Sequence, residues 1–200
     1  LVQLQRPGRE RHYGVPMLEQ AKVVIRELTV EDAPKLTALR EQLDRETSFM
    51  LMEPGERQVT LKQVEDMLDS YDGSDNSLMI GAEAEGRLTG YLSVQGGKAR
   101  RNRHSAHIVV GILQEAQGIG IGSAFFERMD TWAVAQGIVR LELTVMAHNE
   151  RALRLYQKSG FEIEGTKRKS LRVDGRWVDE YYMGKLLPEQ EPEQESPTSH

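Results

Sequence analysis

Gln117-Gly118-Ile119-Gly120-Ile121-Gly122 stands between an apolar run, His107 to Leu113, and an amphipathic stretch, Ser123 to Gln136. That order reads strand, glycine-rich turn, helix. Such a turn aims several backbone N–H groups at one spot, at the positive end of a helix dipole. The favoured guest is an anion, most often a phosphate or pyrophosphate. Glycine is required because a Cβ would hold the ligand away from the backbone. A turn of this kind also serves simply as a tight connection, so its neighbours must decide.

The spacing narrows the ligand. A dinucleotide fingerprint needs G-x-G-x-x-G opening a βαβ unit. Gly118 and Gly120 fit it, but the third slot holds Ser123. A phosphate loop of the G-x-x-x-x-G-K type needs a Lys that is missing here. The pattern that fits is Q-x-x-G-x-G, on Gln117, Gly120 and Gly122. Downstream, Val139 to Val145 alternates apolar and polar residues and predicts a half-buried strand. It leads into Asn149-Glu150-Arg151-Ala152-Leu153-Arg154-Leu155-Tyr156-Gln157-Lys158-Ser159-Gly160-Phe161. Asn149 suits an N-cap, and Gly160 suits the stop just past a helix. Asn149 and Tyr156 lie two turns apart, hence on one face.

Together the two stretches resemble the GNAT superfamily of N-acetyltransferases, whose pattern N-x-x-A-x-x-x-Y-x-x-x-G-F is met at Asn149, Ala152, Tyr156, Gly160 and Phe161. The resemblance covers roughly residues 23 to 187.

Two hundred residues make one domain with tails. Cysteine is absent, which excludes disulfides, thiolate metal sites and a thiol nucleophile. No apolar run approaches the roughly 18 residues a membrane helix needs. The first residues lack the apolar core of a signal peptide, so a cytoplasmic protein is expected. The net charge of −5 does not suggest a nucleic-acid partner. Residues 1–21 are expected to be a poorly ordered extension, 22–187 the domain, and 188–200 a disordered acidic tail.

Within the domain the predicted order is βααβββαβαββ. Residues 23–28 form a strand, and Thr29 caps a helix running to about Arg45. A loop around Glu53-Pro54-Gly55-Glu56 precedes a second helix, 60–71. A hairpin turns at Glu85-Gly86. A basic loop with Arg100, Arg101 and Arg103 leads to the fourth predicted strand, 104–113. Then come the glycine turn and its helix, the fifth strand, the Asn149 helix, and a final strand pair turning at Asp174-Gly175. This is an α/β fold: a single mixed central β-sheet with helices on both faces. Ile121, Phe125, Met129 and Trp132 form one helical stripe and are expected in the core, with Arg128 solvated.

The resemblance implies transfer of an acetyl group from acetyl-CoA to a primary amine, by direct attack in a ternary complex. The acceptor classes it implies are a small amine, a polyamine or a protein N-terminus. A catalytically idle domain that binds acetyl-CoA as a sensor or partner module is the alternative. Relatives are often homodimers. The resemblance further implies that the fourth and fifth strands splay and that the arm of acetyl-CoA lies in the gap against Val110, Gly111 and Ile112. A bulge is expected at Gly111. The pyrophosphate would sit on Gln117, Gly118, Ile119, Gly120, Ile121, Gly122 and Ser123. A side chain at Gly120 or Gly122 is expected to block it and leave the fold intact. Asn149 would bind the arm or a water, or simply cap its helix.

Tyr156 matches the family's tyrosine that protonates the departing thiolate. The base is less defined. Two positions where some relatives carry Glu hold His107 and Thr144 here. An imidazole can accept a proton in this chemistry, so His107 is a candidate base; a water chain is the alternative. His104 and His107 alternate across a strand and match no standard metal site, so no metal is expected. Glu53, Glu56, Asp179 and Glu180 are candidates for leading a cationic amine inward.

Overall fold

The computed structural model describes residues 22–189 together with the backbone of two short segments at 2–4 and 12–13. The rest of the expected extension and tail lies outside the described residues. The elements are β1 (Val2–Leu4), β2 (His12–Tyr13), β3 (Val23–Glu27), α1 (Ala33–Glu46), α2 (Leu61–Tyr71), β4 (Ser77–Ala84), β5 (Arg87–Gly96), β6 (Ser105–Ile112), α3 (Ile121–Ala135), β7 (Arg140–Met146), α4 (Glu150–Lys158), β8 (Glu162–Val173) and β9 (Arg176–Leu186). Among the described residues no helix is long and apolar enough to cross a membrane.

Local chemistry sets most boundaries. Thr29 caps a single 3-10 turn, Val30–Asp32, and α1 begins only after it, with Pro34 in its first turn. The Thr29 N–H donates to the Asp32 carboxylate at 2.8 Å, and that carboxylate receives both terminal nitrogens of Arg26. Thr60 and Gln63 cap α2 reciprocally. Glu85 and Gly86 both take positive φ, 51° and 78°, as a tight hairpin turn between β4 and β5 requires.

One mixed sheet runs β2-β1-β3-β4-β5-β6-β7-β9-β8. The pairs β1–β3 and β6–β7 are parallel and the others antiparallel. Two cores flank it. One joins α3 and α4 to the sheet around Phe125, Met129, Leu141 and Phe161. The other joins α1 and α2 to the opposite face around Leu36, Leu43, Leu68 and Tyr91. The predicted α3 stripe is confirmed: Ile121, Phe125 and Met129 are buried. Arg128 is not solvated as expected; its side chain is 18% exposed and reaches Glu27 at 3.4 Å.

The decisive irregularity lies between β6 and β7. They pair at Ser105–Arg140, Ala106–Leu141 and His107–Glu142, and not beyond. The expected splay is present. Its mechanism differs from the expected bulge, because β6 keeps an unbroken register with β5 from Gly96 through Gly90, Gly111 included. Gly111 answers a packing need instead. A Cβ there would stand 2.7 Å from Leu43 Cδ1 and 3.0 Å from Tyr91 Cε1.

Candidate functional site

The splay exposes backbone polar groups in a predictable pattern. The Leu113 N–H donates to the Thr89 carbonyl, and the Ser105 carbonyl accepts from Gly97. Backbone groups alternate sides along a strand, so Val110 and Ile112 turn theirs away from β5, toward β7. On β7, Ala147 N–H donates to Asp179, which by the same alternation turns Thr144 and Met146 toward β6. Four residues therefore present N–H and C=O groups to the gap. Two carbonyls are already engaged: Met146 by the Asn149 N–H at 2.9 Å, and Ile112 by Gln117 Nε2 at 3.0 Å. What remains is an unpaired sheet edge on each side, which an extended polar chain can fill as an added strand.

The glycine turn sits at the open end of this gap. Gly118 and Gly120 take φ of 78° and 89°, and Gly120 caps α3. The first intrahelical bond runs from Ala124 N–H to the Gly120 carbonyl, which leaves the N–H groups of Ile121, Gly122 and Ser123 without helical acceptors. Three such donors at a helix start are the geometry that an anion cradle needs. Gly122 has a second duty. A Cβ on it would lie 2.9 Å from Leu155 Cδ2, so it also sets how closely α3 approaches α4.

Gap, cradle and the space over the α1–α2 face form one cleft of about 820 Å³. Val110, Gly111, Ile112, Gln117, Gly118, Gly120, Ile121, Gly122, Ser123, Asn149, Tyr156 and His107 all line it. Ile119 does not: its side chain is buried in the α3–α4 core, because the turn alternates inward and outward residues. Arg151, which the sequence reading passed over, also lines the cleft; its Nη2 stands 3.4 Å from where a Gly118 Cβ would be. The loop arginines Arg100, Arg101 and Arg103 are exposed and lie outside the cleft lining, with Arg103 paired to Asp75 at 2.5 Å.

Tyr156 is 8% exposed and wedged edge-on against Phe126 and Phe161, with centroids 5.8 and 6.0 Å away. Burial pushes its phenol pKa well above the usual value, so it stays protonated at neutral pH. Asn149 accepts from the Ala152 N–H at 3.2 Å, which leaves its amide N–H₂ as a donor. Tyr156 therefore belongs to the α3–α4 side of the sheet.

Odd residues of β6 and even residues of β7 and β9 face the α1–α2 side, where a second part of the cleft opens. His107, Thr144 and Glu180 all line it. His107 is exposed and sits at the last paired position of the splay. Glu180, 8% exposed, is the carboxylate lining the cleft among the described residues. It faces Met146 in register, accepts from Ser170 Oγ at 2.7 Å, and lies 3.3 Å from Lys167 Nζ. Of the other acids proposed to guide an amine, Asp179 is occupied by the Lys169 N–H, and Glu53 and Glu56 stay in an exposed loop. That loop carries Phe49, Met50, Leu51 and Met52 over the chamber, with Phe49 5.1 Å from the His148 ring.

Comparison with known proteins agrees with this architecture. Residues 37–161 match the model of the acetyltransferase (GNAT) family. The chain is 33% identical over 106 residues to the L-amino acid N-acetyltransferase AaaT of Escherichia coli, a stretch that covers 51% of this chain and 64% of that protein. The chain thus spans less than two thirds of that relative's length. A solved acetyltransferase of the GNAT family from Streptococcus pneumoniae is 32% identical and superposes with a TM-score of 0.79, covering 83% of this chain and 99% of that one. YncA from Salmonella typhimurium, a putative acetyltransferase solved with its cofactor acetyl-CoA, shares the fold at 19% identity and a TM-score of 0.74, covering 87% of this chain and 99% of that one. The chain belongs to the acetyltransferase (GNAT) family.

Proposed function

We propose that this GNAT-family chain transfers the acetyl group of acetyl-CoA to a primary amine by direct attack in a ternary complex. The observation that carries the proposal is the juxtaposition of the unpaired β6–β7 gap with the glycine cradle at its mouth. An acyl thioester on a polar, extended arm ending in a pyrophosphate suits both at once. The pyrophosphate rests on the N–H groups of residues 121–123, at the positive end of α3. Arg151 adds positive charge beside Gly118. The arm pairs with Val110, Ile112 and Asn149, and the thioester reaches the narrow end of the gap.

The amine comes from the opposite, α1–α2 side. Its nitrogen attacks the thioester carbon, and the oxyanion is met by backbone N–H groups of the splay. Collapse breaks the C–S bond, and the thiolate takes the proton of Tyr156. A Lys-like ammonium has a pKa of about 10.4, so only about one molecule in 2,500 is neutral at pH 7. A proton acceptor on that side therefore accelerates the reaction. His107 takes this role in the proposal, and Glu180 steadies the incoming ammonium. The acceptor named for the Escherichia coli relative, an L-amino acid, is an amine of the required kind.

The test is release of CoA thiol from acetyl-CoA across a panel of amino acids, polyamines, small amines and N-terminal peptides. The amide product is identified by mass. Binding of acetyl-CoA with no turnover on any acceptor would instead mark an idle, acetyl-CoA-sensing domain.

A further inference from the structure

We propose that the acceptor is an amino acid with a free carboxylate and an apolar side chain, and that Arg40 holds the carboxylate. The inference rests on the amine acetylation proposed above and names its substrate class. The starting observation is a charge in the wrong place. On α1, Leu36 and Leu43 are buried at 0% and 1% exposure. Arg40 lies four residues after one and three before the other, on the same helical stripe. An apolar residue is expected there; the chain carries a guanidinium.

Among the described residues Arg40 lacks a carboxylate partner. Its guanidinium lies over the ring of Tyr91 at 5.2 Å, and its terminal nitrogens touch the Met67 sulfur at 3.5 and 3.6 Å. Its Nε is buried without a hydrogen-bond partner, and among the described residues no carboxylate forms an ion pair with it. The nearby Arg57 shows the contrast. Both of its bonding nitrogens meet Asp44, at 2.7 and 3.0 Å, and Asp44 is 3% exposed. One of the two cations is therefore neutralised in the fold and the other is not. A buried donor left unpaired costs free energy that a ligand can recover. The planar guanidinium fork matches a carboxylate.

Position selects the acceptor rather than acetyl-CoA as that ligand. Arg40 and Tyr91 line the cleft on the α1–α2 side of the sheet, backed by Gly111, opposite the Tyr156 side. Glu180 lines the same chamber, where its carboxylate, shared with Lys167 and Ser170, adds negative charge beside an incoming ammonium. Leu43, Phe49, Met50 and Met52 supply an apolar wall for a side chain. A diamine or polyamine would bring a second ammonium toward Arg40 and be repelled.

Two measurements test this. The first compares kcat/KM of the wild-type chain for L-methionine and L-leucine with that for their carboxamides and for 1,4-diaminobutane. The carboxylates should be preferred by about 10- to 100-fold, the usual range for a charged hydrogen bond. Arg40→Gln should remove that preference, slowing the acids about 10- to 100-fold more than it slows the amides. The second measurement needs no turnover: calorimetric binding of N-acetylmethionine against N-acetylmethioninamide to the CoA-loaded wild-type chain. The acid should bind about 10-fold or more tightly. Amides or the diamine turned over as well as the acids would overturn the assignment while leaving amine acetylation standing. Selective binding of the acid without turnover of any amine would support Arg40 and sink the catalytic proposal. Equal binding of acid and amide would refute the carboxylate site.

Discussion

His107 and Glu142 are the last residues of β6 and β7 that face each other in register. Past them the strands part, and the backbone of Val110 turns to an empty edge. The position of His107 follows from this. It marks the closed end of the gap, on the face opposite Tyr156. In the mechanism proposed above, base and acid would thus act from the two sides of the sheet.

Tyr156→Phe keeps the ring and its contacts with Phe126 and Phe161 and removes the O–H. Turnover should fall about 10²- to 10⁴-fold, the usual range for lost general-acid catalysis. Affinity for acetyl-CoA should change little. Steady-state kinetics with calorimetry on the same variant separates the two quantities. Normal turnover would leave Tyr156 a packing residue.

The two cradle glycines should behave differently, contrary to the sequence expectation of one shared phenotype. Gly120 has open space around it but a φ of 89°, which a β-branched residue resists. Gly120→Val should distort the cradle and weaken acetyl-CoA binding more than it lowers Tm. Gly122→Val drives a side chain into Leu155 and should destabilise the fold by about 1–3 kcal/mol. Thermal melts with and without acetyl-CoA give both readings, and identical losses in the two variants would contradict the division.

With His107 as base, kcat/KM should rise with pH through a limb carried by its imidazole. His107→Gln should lose that limb. Profiles with two acceptors of different amine pKa decide the matter. A limb that moves with the acceptor would show that solvent or a water chain carries the proton.

Asp32 offers a stability test apart from the site. The Arg26 guanidinium holds its carboxyl below the usual carboxylate range, helped by the Thr29 N–H and opposed by burial. A depressed folded pKa contributes stability above the unfolded value of about 3.9, and that stability is lost as pH falls through the folded value. Asp32→Asn should therefore cost about 1.5–3 kcal/mol at pH 7, in keeping with charged hydrogen bonds. The gap to wild type should shrink as pH drops below about 4. Denaturant midpoints at pH 7 and pH 3 measure this; a constant gap would assign the loss to packing.

The sequence by itself determined what depends on neighbouring residues. The glycine turn before α3, the Asn149 cap, the hairpin at Glu85-Gly86 and the core stripe of α3 follow from local spacing, capping and backbone freedom, and each lies where the residues put it. Tertiary structure alone decided the rest. Gly111 suggested a bulge, but its neighbours Leu43 and Tyr91 arrive from other elements, and they show that it serves close packing. Ile119 reads as part of the cradle, yet its side chain enters the core. Glu180 is one acid among several in sequence; only pairing of β9 with β7 sets it opposite Met146 in the chamber. Nothing in the local sequence marks Arg40. Its lack of a carboxylate partner emerges when α1, α2 and β5 close around it and Asp44 is taken by Arg57. Burial and charge pairing are sums over residues distant in the chain, so no local window of sequence contains them.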